Sequence, residues 1–190
     1  MDANRLTQKC QEALQNAQTT AVKFGHVEVD GEHLLLALCE QGDGLLPRLL
    51  GKMDVSADAF TKSVNSALEK KPRVSGPGVE AGKVYITQRL NQLFVLAEEE
   101  AKRLKDEYIS VEHLVIPLID EGGKTAAGQI FKQFGVSKDK FLAALMEVRG
   151  NQRVVGANPE ATYEALEKYG RDLVAEARRG KIDPVIGRDT

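Results

Sequence analysis

At 190 residues, with 42% apolar, 28% charged and 5% aromatic side chains and no Trp, the chain has room for one well-buried domain and an appendage built on Leu, Ala and Val. A net charge of −2, from 26 basic and 28 acidic residues, leaves no overall field to recruit nucleic acid. No apolar run approaches the ~18 residues that cross a bilayer, and Met1-Asp2-Ala3-Asn4-Arg5 lacks the layout of a secretion signal, so a cytoplasmic protein without membrane partners is expected.

In chain order, 3.6-residue periodicity predicts helices near 4–24, 31–40, 45–50 and 57–70, and then near 87–105, 111–121, 126–134 and 138–149. The second set repeats the first. Leu6, Cys10, Ala13, Leu14, Ala17, Ala21 and Phe24 are matched eighty residues on by Ile86, Leu90, Leu93, Phe94, Ala97, Ala101 and Leu104. Glu32-His33-Leu34 returns as Glu112-His113-Leu114, and Val55-Ser56 with Phe60 returns as Val136-Ser137 with Phe141. Repetition of this kind sets the architecture: an all-α fold of two four-helix repeats related by a pseudo-twofold. Asp30, Ser110, Ser56 and Ser137 stand where side-chain oxygens can cap the shorter helices, and Thr7 and Thr87 stand at the starts of the long ones.

Between the repeats, Lys71-Pro72-Arg73-Val74-Ser75-Gly76-Pro77-Gly78 cannot continue a helix. The expected organisation is a first repeat over 1–70, a linker over 71–84, a second repeat over 85–149 and a flexible linker over 150–160. A further helix near 163–179 follows, and Val185-Ile186 reads as the opening of another domain over 161–190.

Four motifs invite chemistry. Gly122-Gly123-Lys124-Thr125 ends like a phosphate-binding loop, but the glycine that such a loop needs five residues before its second Gly is replaced by Leu118 in a helix, so a helix end is expected. His33 and His113 each sit beside a Glu, yet no Ser, Cys or third ligand is repeated with them, which favours packing over catalysis or metal binding. His26, whose counterpart is Asp106, reads as a solvated turn residue. Cys10 and Cys39 read as buried thiols, so neither zinc nor a disulfide is expected. Thr7, Asp106 and Glu112 become a functional surface if the twofold brings them together.

The repeated helices, with Leu6-Thr7-Gln8-Lys9-Cys10 and Glu32-His33-Leu34-Leu35-Leu36, together with Tyr169-Gly170-Arg171-Asp172-Leu173 and Asp183-Pro184-Val185-Ile186-Gly187-Arg188-Asp189, resemble the start of the ClpB-type AAA+ chaperones. The resemblance implies a mobile N-terminal domain that hands unfolded or aggregated polypeptides to a homohexameric threading ring, with Hsp70-system co-chaperones as partners. It implies no catalytic residue and no cofactor within this chain, ATP and Mg in the full-length protein, and adenine contacts from Val185 and Ile186 there. It places polar contact positions on Thr7, Asp106 and Glu112, and a client groove near Leu14, Phe94 and His113, where His113 replaces the Leu of some relatives. The alternative is a ClpC-like domain docking adaptors or arginine-phosphorylated clients for a protease, with Glu32 and Glu112 each suited to a guanidinium. A free-standing enzyme built on the His/Glu pairs, or a scaffold that only spaces the ring, are the remaining readings.

Overall fold

The computed structural model describes residues 3–74, 83–150 and 152–160. The helix expected near 163–179 and the terminal Val185-Ile186 segment lie outside the described residues. After a 3-10 turn at Ala3–Arg5, the first repeat holds α1 (Gln8–Lys23), β1 (Glu28–Val29), α2 (Gly31–Cys39), α3 (Leu45–Lys52) and α4 (Ala57–Glu69). The second holds β2 (Tyr85–Ile86), α5 (Gln88–Arg103), α6 (Val111–Asp120), a 3-10 turn at Gly122–Lys124, α7 (Ala126–Gln133) and α8 (Lys138–Arg149). The all-α architecture of two four-helix repeats is therefore what the chain adopts.

Thr7 and Thr87 explain where the long helices begin. Both sit in extended backbone, and each Oγ1 accepts from a first-turn N–H, that of Cys10 at 3.3 Å and of Leu90 at 3.0 Å. The cap moves the start of α1 to Gln8, past the residue 4 that periodicity suggests, and leaves Leu6 extended although its spacing is helical.

The residues just before the caps make short strands that periodicity does not reveal. β1 and β2 pair in parallel, Glu28 with Tyr85 and Val29 with Ile86. Leu6 bridges Ile109 in the same sense. Leu6 is the eighty-residue counterpart of Ile86, and Val29 that of Ile109, so the second pairing is the twofold image of the first. The matching hydrogen bonds are Thr87 N–H to the Val29 carbonyl at 3.2 Å and Thr7 N–H to the Ile109 carbonyl at 3.0 Å. Each repeat thus lends its leading edge to the other.

α2 and α6 are apolar around nearly the whole helix, and every residue of α2, like 111–119 of α6, is buried. α1 and α4 cover α2, while α5, α7 and α8 cover α6. Across the twofold α4 packs on α7 and α3 on α8. Phe60 of α4 lies against Phe131 and Phe134 of the second repeat with ring centroids 5.1 and 5.3 Å away. Cys10 and Cys39 are buried free thiols, and burial pushes the Cys39 thiol up to about 12.

Gly122-Gly123-Lys124-Thr125 joins two helices. Gly122 has φ +57°, Thr125 caps α7 by accepting from Gly128 N–H at 3.0 Å, and a Cβ at Gly128 would stand 1.8 Å from the Gly122 carbonyl oxygen. The strand that precedes a phosphate loop is replaced by α6.

Replacing Phe60 with Ala removes the aromatic seam between the repeats and is expected to cost about 3–5 kcal/mol. Urea denaturation followed by far-UV circular dichroism checks this, with wild type and variant each unfolding in one transition because the repeats share edges and seam.

Candidate functional site

The twofold places two polar junctions at the starts of α2 and α6, and the same positions are used differently in each. In the first, Asp30 caps α2: its Oδ1 accepts from Gly31 N–H at 2.8 Å and from the Thr87 hydroxyl at 2.8 Å. The Asp30 N–H donates to His33 Nδ1 at 2.9 Å, which leaves the ring proton on Nε2, aimed at His26 Nδ1 2.8 Å away. His26 is buried, stacked on Phe24 at 5.4 Å and edge-on to His33, and is not the solvated turn residue that the absence of a matching histidine suggests. Burial, and then the charge of Lys71, hold the His33 pKa down at about 4.

Glu32, also in this junction, takes both Nη atoms of Arg89 at 2.8 Å and the Ala127 N–H at 3.0 Å. The same guanidinium reaches Glu121 at 2.7 and 2.9 Å. Arg89 thereby ties α2 of one repeat to the end of α6 in the other. Burial raises the Glu32 pKa, but the hydrogen bonds and charge of Arg89 outweigh it and leave the carboxyl below its usual range.

In the second junction, Ser110 N–H donates to His113 Nδ1 at 2.8 Å, and His113 Nε2–H donates to Asp106 at 2.7 Å. Asp106 occupies the place of His26, so a carboxylate now receives the imidazole proton. Arg149 joins both acids, donating to Asp106 and, at 3.2 Å, to Glu112, while the Ser110 hydroxyl donates to Glu112. Burial acts to raise the Asp106 pKa, and the donors His113, Arg149 and Val154 N–H reverse it to a net lowering.

Residues 152–160 lie over this junction. Val154 is buried, its N–H donates to Asp106 at 2.9 Å and its carbonyl accepts from Glu107 N–H at 2.8 Å. The Ala157 carbonyl accepts from Gln8 N–H at 2.8 Å, and Glu160 accepts from the Thr7 hydroxyl at 2.8 Å and from Val111 N–H at 3.2 Å. Burial, and then the nearby charge of Glu112, push the Glu160 carboxyl up to about 7. The linker expected over 150–160 thus contains, from 152 onward, a segment laid against the domain.

Thr7, Asp106 and Glu112 do meet, but beneath the surface: all three are buried, and residues 152–160 with Arg149 cover them. The expectation of polar surface positions is corrected on that ground. His113 is likewise enclosed, with both ring nitrogens engaged, and cannot line an open groove in this structure. Phe94 is buried in α5 and Leu14 is half-buried against the core. Val185 and Ile186 lie outside the described residues. Exposed large apolar side chains among the described residues are Val22, Val74, Met146, Val155 and, grouped at the start and outer face of α5, Tyr85 (60%), Ile86 (41%) and Val95 (46%). Gln88, Arg89, Asn91, Gln92 and Val95 line a shallow cleft of about 500 Å³ on the outer face of α5. A larger cleft of about 710 Å³ runs between α4 and α7, with Lys62, Lys70, Ala67 and Ile130 among its walls.

Sequence reasoning missed Arg89, Arg149 and Glu160, because nothing in their spacing marks them as partners of carboxylates or hydroxyls far away in sequence. Among the described residues no group of three or more His, Cys, Asp or Glu could hold a metal ion, and no helix is long and apolar enough to cross a membrane.

The profile of the Clp repeat N-terminal domain matches residues 5–134. The chain is 53% identical over 189 residues to the chaperone protein ClpB of Nitratidesulfovibrio vulgaris and 55% identical over 190 residues to that of Bacillus anthracis. Each match covers 100% of this chain and 22% of the relative, so the chain spans about a fifth of the length of these curated relatives. The Hsp104 N-terminal domain from Candida albicans superposes with a TM-score of 0.69 at 23% identity, over 82% of this chain and 98% of that one, a likeness of fold. The N-terminal domain of the ClpV1 ATPase from an E. coli type VI secretion system superposes at 0.62 with 27% identity, over 74% of this chain and 83% of that one.

His33 and Glu160 tilt stability with pH in opposite directions. His33 binds its proton less readily when folded, so its contribution is complete above its ordinary value of about 6.5 and is lost as pH falls toward 4. Glu160 binds its proton more readily when folded, so its contribution grows as pH falls from 7 toward 4.5. Urea midpoints between pH 7 and 4.5 are expected to fall more steeply in Glu160→Gln than in wild type. His33→Gln, which keeps an acceptor for the Asp30 N–H, is expected to flatten the fall.

Proposed function

The chain belongs to the Clp repeat N-terminal domain family, and from that membership we propose that it is the client-receiving domain of an ATP-dependent ClpB-type disaggregase. The observation that carries the reading is the 53–55% identity to ClpB chaperones across both repeats and the segment after them. The role is to engage unfolded or aggregated polypeptide and deliver it to a hexameric ring in the cytoplasm. Nucleotide, Mg and Hsp70-system co-chaperones then belong to the whole protein and not to these two repeats.

The outer face of α5 supports this reading physically. Tyr85, Ile86 and Val95 offer apolar contact without fixed hydrogen-bond directions, flanked by the amides Gln88, Asn91 and Gln92. Such a surface accepts many sequences weakly, which suits a receptor that must also release its client. Leu14 on α1, the half-buried counterpart of Phe94, offers a smaller apolar contact on the other repeat. Phe94 serves by shaping α5 from below.

The ClpC-like alternative places a client guanidinium on Glu32 or Glu112. Both carboxylates are already held by the chain's own Arg89 and Arg149, and a client would have to displace paired, buried donors. That occupancy favours the disaggregase reading.

An NMR titration of the chain with a permanently unfolded protein tests the proposal. Shifts are expected from Tyr85 to Val95, with binding weakened about tenfold by Val95→Asp, an exposed position whose change leaves the core intact. The absence of shifts at millimolar client would contradict it.

A further inference from the structure

The two junctions differ in one respect that assigns a role to the segment after the second repeat. In the first junction, the carboxylate that accepts from the long-helix threonine and from the first N–H of the short helix is Asp30, taking Thr87 Oγ1 at 2.8 Å and Gly31 N–H at 2.8 Å. The twofold counterpart of Asp30 is Ser110, which has no carboxylate, and its hydroxyl is committed to Glu112. The counterparts of the two donors are Thr7 Oγ1 and Val111 N–H. Both are buried, and both donate to one oxygen of Glu160, at 2.8 and 3.2 Å.

We propose that Glu160 is a latch: its carboxylate supplies the acceptor that Ser110 lacks, and so pins residues 152–160 across the second repeat as a strap. The strap has two anchors. Val154 is fixed first, buried and bonded through its N–H to Asp106 and through its carbonyl to Glu107. Glu160 fixes the far end, and between them the Ala157 carbonyl takes the Gln8 N–H at 2.8 Å. An unpaired buried donor is costly, so Thr7 and Val111 hold the strap closed for as long as nothing else offers them an acceptor. Opening it exposes Thr7, Asp106 and the start of α6. The strap therefore sets how tightly the segment leading out of the second repeat is tied to the domain. Only its consequence for clients rests on the function proposed above, and the test below contains no client, so the two can fail separately.

The test is amide hydrogen exchange by NMR on the 190-residue chain. In Glu160→Ala the Gln8 amide, bonded three residues from the latch, is expected to exchange about ten- to hundredfold faster, since two buried donors, Thr7 Oγ1 and Val111 N–H, lose their acceptor. The Val154 and Glu107 amides, held by the nearer anchor, should change less, and Thr87 in the other junction should not change. Glu160→Gln keeps an acceptor oxygen and should keep Gln8 slow. Because Glu160→Ala also leaves two donors unpaired, the double variant Ser110→Asp with Glu160→Ala returns a carboxylate at the position of Asp30's counterpart. It should restore the thermal midpoint while Gln8 stays fast, which separates capping from strapping. The latch is refuted if Gln8 exchanges at the wild-type rate in the Ala and double variants, or if it already exchanges at the unfolded-chain rate in wild type.

Discussion

The structure depends on the exchange of leading edges between repeats. Tyr85-Ile86 completes the turn before α2, and Leu6 completes the turn before α6, each as a parallel pair one or two residues long. Segments this short have no stability of their own. They are held because Thr7 and Thr87 end them with a helix cap and because the donor from each threonine backbone reaches the opposite repeat. The cap that starts a helix in one half thus closes a loop in the other, and the buried α2 and α6 are covered only when both exchanges are made.

On this shared frame the apolar positions keep the twofold and the polar ones depart from it. His33 and His113 both accept a backbone N–H at the start of their helices, yet one passes its remaining proton toward His26 and the other toward Asp106. A neutral histidine pair needs no counter-charge. A buried carboxylate does, and Arg149 supplies it while also pairing Glu112. The one change from His to Asp thereby draws the end of α8, and then Val154, into the second junction. Beside the first junction, the second repeat's leading edge and the outer face of α5 present Tyr85, Ile86 and Val95 to solvent.

Much of this was legible in the sequence. The offset of eighty residues announced two copies, the 3.6-residue spacing located eight helices, and the oxygen-bearing residues before them located the caps, because each of these signals is local. Leu6 falls within the helix that spacing predicts near 4–24 and Ile86 just before the one near 87–105, and only the cross-repeat pairing shows why both are extended. The repeat leaves open where Thr7, Asp106 and Glu112 lie; their place beneath the surface depends on Arg149 and Glu160, which reach them from 37 to 153 residues away. No periodicity encodes such a contact. His26 follows the same pattern, a solvated turn residue when set beside its counterpart Asp106 and a buried hydrogen-bond partner by virtue of His33.

The reciprocal dependence of the repeats is tested most directly by cutting the chain between them and expressing residues 1–78 and 79–190 separately. Each half alone should show little helix by circular dichroism and no slow-exchanging amides, and mixing should restore both as a one-to-one complex. A half that folds by itself, with α2 or α6 protected in the absence of its partner, would contradict the account.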